Sequence, residues 1–284
     1  MPLILRLMTM MRTRSKPSGM RFGWWSASWL PPDRMPARVK RTFWRALGFQ
    51  YAMSRALAFL TIPLMVLAVV LAGYQVRNLK KIRRDVKALM NRHPGPWLIC
   101  ANHLTLVDSV ILAYAMMPPY RYLLRFRDLP WNIPEHMNFN RNPALRAICF
   151  LAKCIPVVRG GDRGRVKSSL EKCLFVLGKG EPLMIFPEGT RSRNGRVNTE
   201  NFPYSVGRLA HAVPGCRVMC VYLRGDGQES YSDFPKRGEM FTMSVKECRP
   251  ESALKGLRAQ RDCATRIIAC LHQMESDYFK LRGQ

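Results

Sequence analysis

From Ala56 to Val76 the chain reads ALAFLTIPLMVLAVVLAGYQV, without a charged residue. No other segment restricts the fold so strongly. At ~1.5 Å of rise per residue, a helix of this length crosses the roughly 30 Å hydrocarbon layer of a bilayer once. Pro63 lies inside the run and would kink or split such a helix. Two arrangements are therefore open, a single span and a helical hairpin dipping into one leaflet. Arg38, Lys40 and Arg41 precede the run, and Arg77, Lys80, Lys81, Arg83 and Arg84 follow it. With basic residues on both flanks, charge asymmetry selects no orientation. Paired basic flanks favour a segment that enters and leaves on the same cytosolic face.

Upstream, PARVKRTFWRALGFQYAMSR sets Phe43, Leu47 and Tyr51 four residues apart, one apolar helix face among arginines and lysines. It fits either a basic interfacial helix or a surface helix packed on a core. Residues 1–36 are rich in Met, Arg, Ser and Pro, with Asp33 as their only acid. They read as a flexible basic arm or an overlong start, since Met20 and Met35 lie downstream; an Arg-rich, acid-poor targeting segment has the same composition.

Lys and Arg number 46 against 19 Asp and Glu, a formal net charge of +27. Such an excess suits nucleic acid, an anionic membrane surface or an acidic soluble partner. Nucleic-acid readers carry recognisable zinc-finger, basic-zipper or RNA-binding signatures, and none occurs here. Beside the uncharged run, the charge points to an anionic membrane surface, with no nucleic-acid partner. The 9 cysteines form no CxxC pair, and only Cys270 and His272 approach metal-ligand spacing. The spacing therefore predicts no metal site and reduced thiols in the cytosol.

Beyond residue 84 the chain alternates between apolar runs and helical patterns. The runs are Trp97–Ala101, Tyr120–Phe126, Cys154–Val158, Leu183–Phe186, Arg217–Leu223 and Met240–Val245. Helical patterns fall near 107–117, 142–152, 165–178, 204–212 and 252–281. This predicts an α/β unit over residues 85–284, a mostly parallel or mixed sheet flanked by helices. A membrane-associating helical segment over residues 37–84 and the arm at 1–36 would precede it.

Within WLICANHLTLVDSVILAYAM an apolar strand ends at Ala101 and a helix follows. Thr105 and Asp108 have capping-box spacing, which would put Thr105 at the N-cap and Asp108 at the third helical position. His103 then lies in the turn before the helix. On one continuous helix, side chains five residues apart diverge by about 140°. A turn instead lets the imidazole fold back toward Asp108. If Asp108 accepts one ring N–H, the other nitrogen is left as a base facing outward. The plainer reading makes His103 a polar turn residue and Asp108 a backbone cap.

The buried-strand pattern Leu183–Phe186 stops at Pro187-Glu-Gly-Thr-Arg-Ser-Arg193. Gly189 permits a tight turn with exposed N–H groups, and Arg191 and Arg193 add fork-shaped donors, a combination suited to phosphate. Glu188 would hold a substrate hydroxyl or fix an arginine. Cys154-Ile-Pro-Val-Val-Arg159 ends a second strand with an arginine, so Arg159 and Arg191 can converge on one anion at the carboxyl edge of the sheet. Arg163, Arg165 and Arg193 read as solvated.

With these residues in view, the sequence resembles the glycerolipid acyltransferase family, whose members include 1-acylglycerol-3-phosphate acyltransferases. Asn102-His103-Leu-Thr-Leu-Val-Asp108 matches its NHx4D block, and Phe186-Pro-Glu-Gly-Thr-Arg-Ser-Arg193 matches its third block. The likeness runs over roughly residues 85 to 225. It implies an α/β fold with an N-terminal membrane-binding helical element, with His103 as general base and Asp108 as its partner. Glu188, Gly189, Thr190, Arg191 and Arg159 would bind the glycerol-phosphate portion of a lysophospholipid acceptor. The donor would be acyl-CoA or acyl carrier protein, with no metal or other cofactor. The site of action would be the cytoplasmic face of a membrane, the inner membrane in a bacterium. The product expected from 1-acylglycerol-3-phosphate is phosphatidic acid.

The sequence also departs from the family pattern. Lys153 stands where the second block has glycine. Pro214 is the single proline kept of two in the fourth block, with Arg217 near the other position. Arg125 or Arg127 replaces a family lysine, and Arg125 is a candidate oxyanion or thioester contact. These changes leave room for a different acceptor: glycerol 3-phosphate, another lysophospholipid or a specialised lipid. A non-enzymatic membrane-tethered scaffold and a membrane-bound thioester hydrolase using the same base are the competing readings.

Overall fold

A computed structural model describes residues 37–93, 95–139, 142–158 and 163–283. The basic arm expected over residues 1–36 lies outside the described residues, as do Arg159, Gly160, Gly161 and Asp162. Two helices, α1 (Ala37–Ala56) and α2 (Ala58–Leu71), precede β1 (Gln75–Val76) and α3 (Leu79–Arg92). Next come β2 (Trp97–Ala101), α4 (Asp108–Met116), α5 (Pro119–Leu124), β3 (Trp131–Asn132), α6 (His136–Phe139) and α7 (Pro143–Leu151). The chain continues through α8 (Arg163–Gly178), β4 (Leu183–Ile185), α9 (Ser205–Ala212), β5 (Arg217–Gly225), β6 (Met240–Cys248) and α10 (Gly256–Leu281).

The strands form one mixed sheet in the order β1-β6-β5-β2-β4-β3. Neighbours from β5 through β2 and β4 to β3 are parallel, whereas β6 runs antiparallel to β5 and parallel to β1. Side chains alternate across the sheet, as the two-residue period of a strand requires. Leu98, Cys100, Val218, Cys220 and Tyr222 face a core shared with α1, α8, α9 and α10. Trp97, Ile99, Ala101, Met219, Val221 and Leu223 face the opposite core, under α2, α3, α4 and α5. Burial on both faces explains why the central strands read as unbroken apolar runs. The alternation of strands and helices thus predicted the layered, helix-flanked sheet correctly.

Two predicted strands are not strands. Tyr120–Phe126 forms α5 and a single 3-10 turn at Phe126–Asp128. Pro119 suits the first turn of a helix, and Tyr122 of α5 and Phe126 of the 3-10 turn, four residues apart, are both buried. Cys154–Val158 makes only isolated parallel bridges, Asn132 to Cys154 and Glu135 to Val157. Pro156 between them has no N–H to continue a ladder.

The uncharged run is not one helix. α1 and α2 meet at a 70° bend. The break falls at Leu57, and Pro63 lies within α2. The run then ends in β1, which pairs with β6 at Met240 and Phe241. Among the described residues no single helix is long and apolar enough to cross a membrane, although the bent pair passes that test together by length and composition. α1 buries Phe43 and Leu47, as its spacing predicted, and also Gln50 and Ser54. Gln50 Nε2 donates to the carbonyls of Phe150 (2.9 Å) and Cys154 (3.0 Å), and Ser54 Oγ donates to Phe150 (3.2 Å). These side chains add donors to the Phe150 carbonyl in the last turn of α7 and to the Cys154 carbonyl just beyond it, and so tie α1 to that end of the helix. α2 instead turns Phe59, Leu60, Leu64, Leu67 and Val70 outward, beside Tyr120 and Leu123 of α5. α3 runs across residues 84 and 85 and buries Ile82 and Val86 in the sheet core. The helical segment and the α/β unit therefore share this helix.

Candidate active site

β2, β4 and β5 are parallel neighbours, so the residues after each strand emerge along one edge of the sheet. Asn102, the first residue past β2, is buried and bridges to β5: its Nδ2 donates to Leu223 O (2.9 Å) and its Oδ1 accepts from Leu223 N (2.7 Å). This side chain extends the ladder by one rung and fixes where the chain turns.

The turn closes around Asp108. Its Oδ2 accepts from Leu104 N (2.7 Å) and Thr105 N (2.8 Å) and lies 3.0 Å from His103 Nδ1, while its Oδ1 accepts from the Thr105 hydroxyl. The predicted capping box is thus half formed. Asp108 does take the Thr105 N–H, but the Thr105 hydroxyl turns to the carboxylate, and the helix begins at Asp108 instead of after Thr105. A carboxylate is the stronger acceptor, and gathering four donors on it favours a tight turn over an earlier helix start. Surrounded by donors, Asp108 acts as acceptor, so Nδ1 of His103 carries the hydrogen and Nε2 keeps its lone pair. The Phe186 ring stacks on the imidazole, with centroids 4.0 Å apart and planes 18° apart.

The turn after β4 grips the same histidine by its backbone. Glu188 is 2% exposed. Its Oε1 accepts from His103 N and its Oε2 from Asn198 N, each at 3.1 Å. Burial pushes its carboxyl up to about 7, against the pull of those two N–H groups and with some help from the charges of Glu275 and Asp108. Ser192 N donates to His103 O (2.8 Å). Gly189 has φ +72°, and a Cβ there would lie 2.7 Å from Pro203 Cγ, so both backbone and space demand glycine. Thr190 is exposed.

Arg191 is half-buried under the loop between β5 and β6. Its Nη1 donates to Asp233 Oδ1 (2.6 Å) and Ser232 O (2.9 Å), and its guanidinium lies 5.4 Å from the Tyr231 ring centroid. That loop is tied to the His103 turn by Ser232 N to Leu104 O and Leu106 N to Asp233 O, both 3.1 Å.

This arrangement can take a proton from a hydroxyl at Nε2 and hold the resulting imidazolium against a carboxylate. The family described as Acyltransferase matches residues 74–224. The chain belongs to the acyltransferase family. It is an enzyme that transfers an acyl group to a lipid-type acceptor, and the family includes 1-acylglycerol-3-phosphate acyltransferase-like proteins. No individual curated protein matches the chain.

Within this acyltransferase the structure brings together His103, Asp108, Glu188, Gly189 and Arg191. Arg125 stands apart. It caps α5, is exposed, lies 3.5 Å from Asp128, and makes no contact with His103 among the described residues. Sequence reasoning missed the bridging role of Asn102, the stacking of Phe186 on His103, and the hold of Ser232 and Asp233 on Arg191. It also missed Glu275 of α10, which is buried and accepts from Val197 N (3.1 and 3.2 Å), next to the Asn198 that reaches Glu188. Phe186 was legible as the last apolar residue before the turn. The others come from segments far away in sequence and carried no local signal.

The departure at Lys153 has a physical account. Lys153 is 0% exposed and adopts φ +55°, a left-handed conformation at the end of α7 that a glycine takes without strain. Its ammonium donates to Leu129 O (2.7 Å) and pairs with Glu181 Oε2 (3.1 Å), which also accepts from Trp131 Nε1 (2.6 Å). The rings of Tyr51, Phe126 and Trp131 surround it at 5.1–5.3 Å. Burial pulls the ammonium down to about 8, with Glu181 acting in the other direction.

Proposed function

We propose that this acyltransferase carries a fatty acyl group from acyl-CoA or acyl carrier protein to the free hydroxyl of a lysophospholipid, 1-acylglycerol-3-phosphate above others, yielding phosphatidic acid. The 3.0 Å contact between His103 Nδ1 and Asp108 carries this reading. His103 Nε2 accepts the hydroxyl proton as the oxygen attacks the thioester carbonyl. The carbonyl re-forms, the thiolate leaves, and the imidazolium returns the proton to it. General-base help of this kind contributes ~10²–10⁴-fold.

Glu188 has both oxygens on backbone N–H groups, so its part is to position the His103 turn. Binding of the acceptor phosphate falls to Arg191 and the exposed Thr190 beside it. Among the described residues, Nη2 and Nε of Arg191 donate to no protein group, which supports a further anionic partner. The outward apolar side chains of α2 and α5, beside a strongly basic chain, support attachment to an anionic membrane at its cytoplasmic face.

Asp233 favours a second reading. A carboxylate 2.6 Å from Arg191 competes with a phosphate dianion, which suits an acceptor of lower charge. Mass spectrometry of the lipids that purified protein forms from a mixed acceptor panel, with both donor types, decides between them. Phosphatidic acid as the main product is expected, and thioester hydrolysis that ignores every acceptor would overturn the proposal. For the membrane, a Leu64→Asp, Leu67→Asp variant should sediment less with anionic vesicles than the parent chain. Equal sedimentation would place the attachment elsewhere.

A further inference from the structure

All nine cysteines are free thiols, and three of them, far apart in sequence, meet at one place. Cys220 lies in the middle of β5, Cys248 is the last residue of β6, and Cys270 is on α10. Their three Sγ atoms lie within 4.8 Å of one another. Sulfurs bound to one ion at about 2.3 Å stand roughly 4 Å apart, so a contraction of less than an ångström per pair would converge them. Cys220 is buried, while Cys248 and Cys270 are only partly covered, which leaves an approach from solvent. The Cys220 and Cys248 thiols are oriented by the α10 carbonyls of Ile267 (3.9 Å) and Arg266 (4.0 Å). Among the described residues no imidazole or carboxylate joins the group, and an all-sulfur donor set selects soft ions over Mg²⁺ or Ca²⁺.

We propose that Cys220, Cys248 and Cys270 form a binding site for a thiophilic d¹⁰ metal ion of the Cu⁺ or Zn²⁺ type, held by three thiolates. Each thiol still protonated releases its proton to solvent as the sulfur–metal bond forms, with no change of oxidation state. The bound ion cross-links β5, β6 and α10. Cysteine spacing could not reveal the site, because the three ligands come from separate elements.

Cadmium, a d¹⁰ ion whose thiolate bonds absorb in the ultraviolet, is the probe. Reduced full-length protein titrated with cadmium chloride should develop thiolate-to-metal charge-transfer absorbance that saturates at a single equivalent. Cys248→Ser and Cys270→Ser should each abolish that saturating phase, and Cys149→Ser should preserve it. Far-ultraviolet circular dichroism of each variant without metal verifies the fold. Should Cys248→Ser fail to fold, the half-exposed Cys270→Ser carries the comparison alone. Replacing the chloride salt with zinc or, under anaerobic reduction, with Cu⁺ ranks the two candidate ions by competition. No saturable absorbance in the folded parent, or the same absorbance in Cys270→Ser, overturns the site. The readout is independent of acyl transfer.

Discussion

Glu188 holds His103 by the backbone: its Oε1 lies 3.1 Å from the histidine N–H, and its other oxygen takes the N–H of Asn198 at the same distance. With Ser192 N on His103 O and Asp108 on Nδ1, both peptide groups of the histidine and one ring nitrogen are fixed. The imidazole, stacked on Phe186, has little freedom beyond presenting Nε2. Precise orientation of this kind lowers the entropic cost of reaching the transition state.

Replacing His103 with Ala is expected to lower acyl transfer by about 10²–10⁴-fold while the protein stays folded. Asp108→Asn should lower kcat with little change in either KM, since its amide can still meet the Thr105 hydroxyl but no longer opposes an imidazolium. Steady-state kinetics with circular dichroism checks both. A folded His103→Ala enzyme at parental rate removes His103 from the chemistry.

Arg191→Ala should raise KM for the acceptor far more than KM for the thioester. Asp233→Asn, which frees Arg191 Nη1 from its counter-charge, should leave acceptor KM unchanged or lower it. If both variants raise it alike, Arg191 serves to anchor the loop after β5 and not the phosphate.

Glu188 makes stability depend on pH with a defined sign. Its folded-state value of about 7 lies above the ordinary 4.5, so between those values the native state keeps a proton that the unfolded chain has released. The stabilisation is complete below pH 4.5 and declines as pH rises through about 7. Glu188→Gln should flatten this decline and, having one acceptor oxygen for two N–H donors, should start from a lower Tm. Thermal melts across that window test it; parallel slopes for the two proteins would refute the assignment.

Lys153 separates backbone from side-chain effects. Lys153→Ala and Lys153→Gly both leave Glu181 without its cation, a loss on the order of 3–5 kcal/mol for a broken buried pair. Alanine also keeps a Cβ in the left-handed conformation, so it should be the less stable of the two by about 1 kcal/mol. Urea unfolding measures the difference, and alanine equal to or more stable than glycine contradicts the strain at φ +55°.

Much of the fold was legible because it is local. Short apolar runs marked β2, β4, β5 and β6, and helical patterns marked α4, α7, α8, α9 and α10, each to within a few residues. The strand predicted at Tyr120–Phe126 failed because a short apolar run has no period long enough to separate strand from helix. Pro118-Pro119 was the better signal. His103 and Asp108 could be paired from sequence because a strand-to-helix turn confines both within one loop. The contacts of Glu188 with His103 N and Asn198 N were not legible in the same way, because those partners reach it from two other loops.

The uncharged run from Ala56 to Val76 marks the division. By itself the sequence determined that this stretch is apolar, that basic residues flank it, and that a strand–His103–Asp108 turn and a Glu188–Arg191 turn follow in order. Periodicity and turn chemistry act over a few residues, so these are written locally. Only the tertiary structure decided that the run breaks at Leu57, where Gln50 and Ser54 tie α1 to the end of α7, and ends as a strand beside β6. It alone buried Lys153 among three rings, set Glu188 on the backbone of His103, and gathered Cys220, Cys248 and Cys270. Each of these depends on which distant segments meet across the sheet, and that is fixed by packing of the two cores.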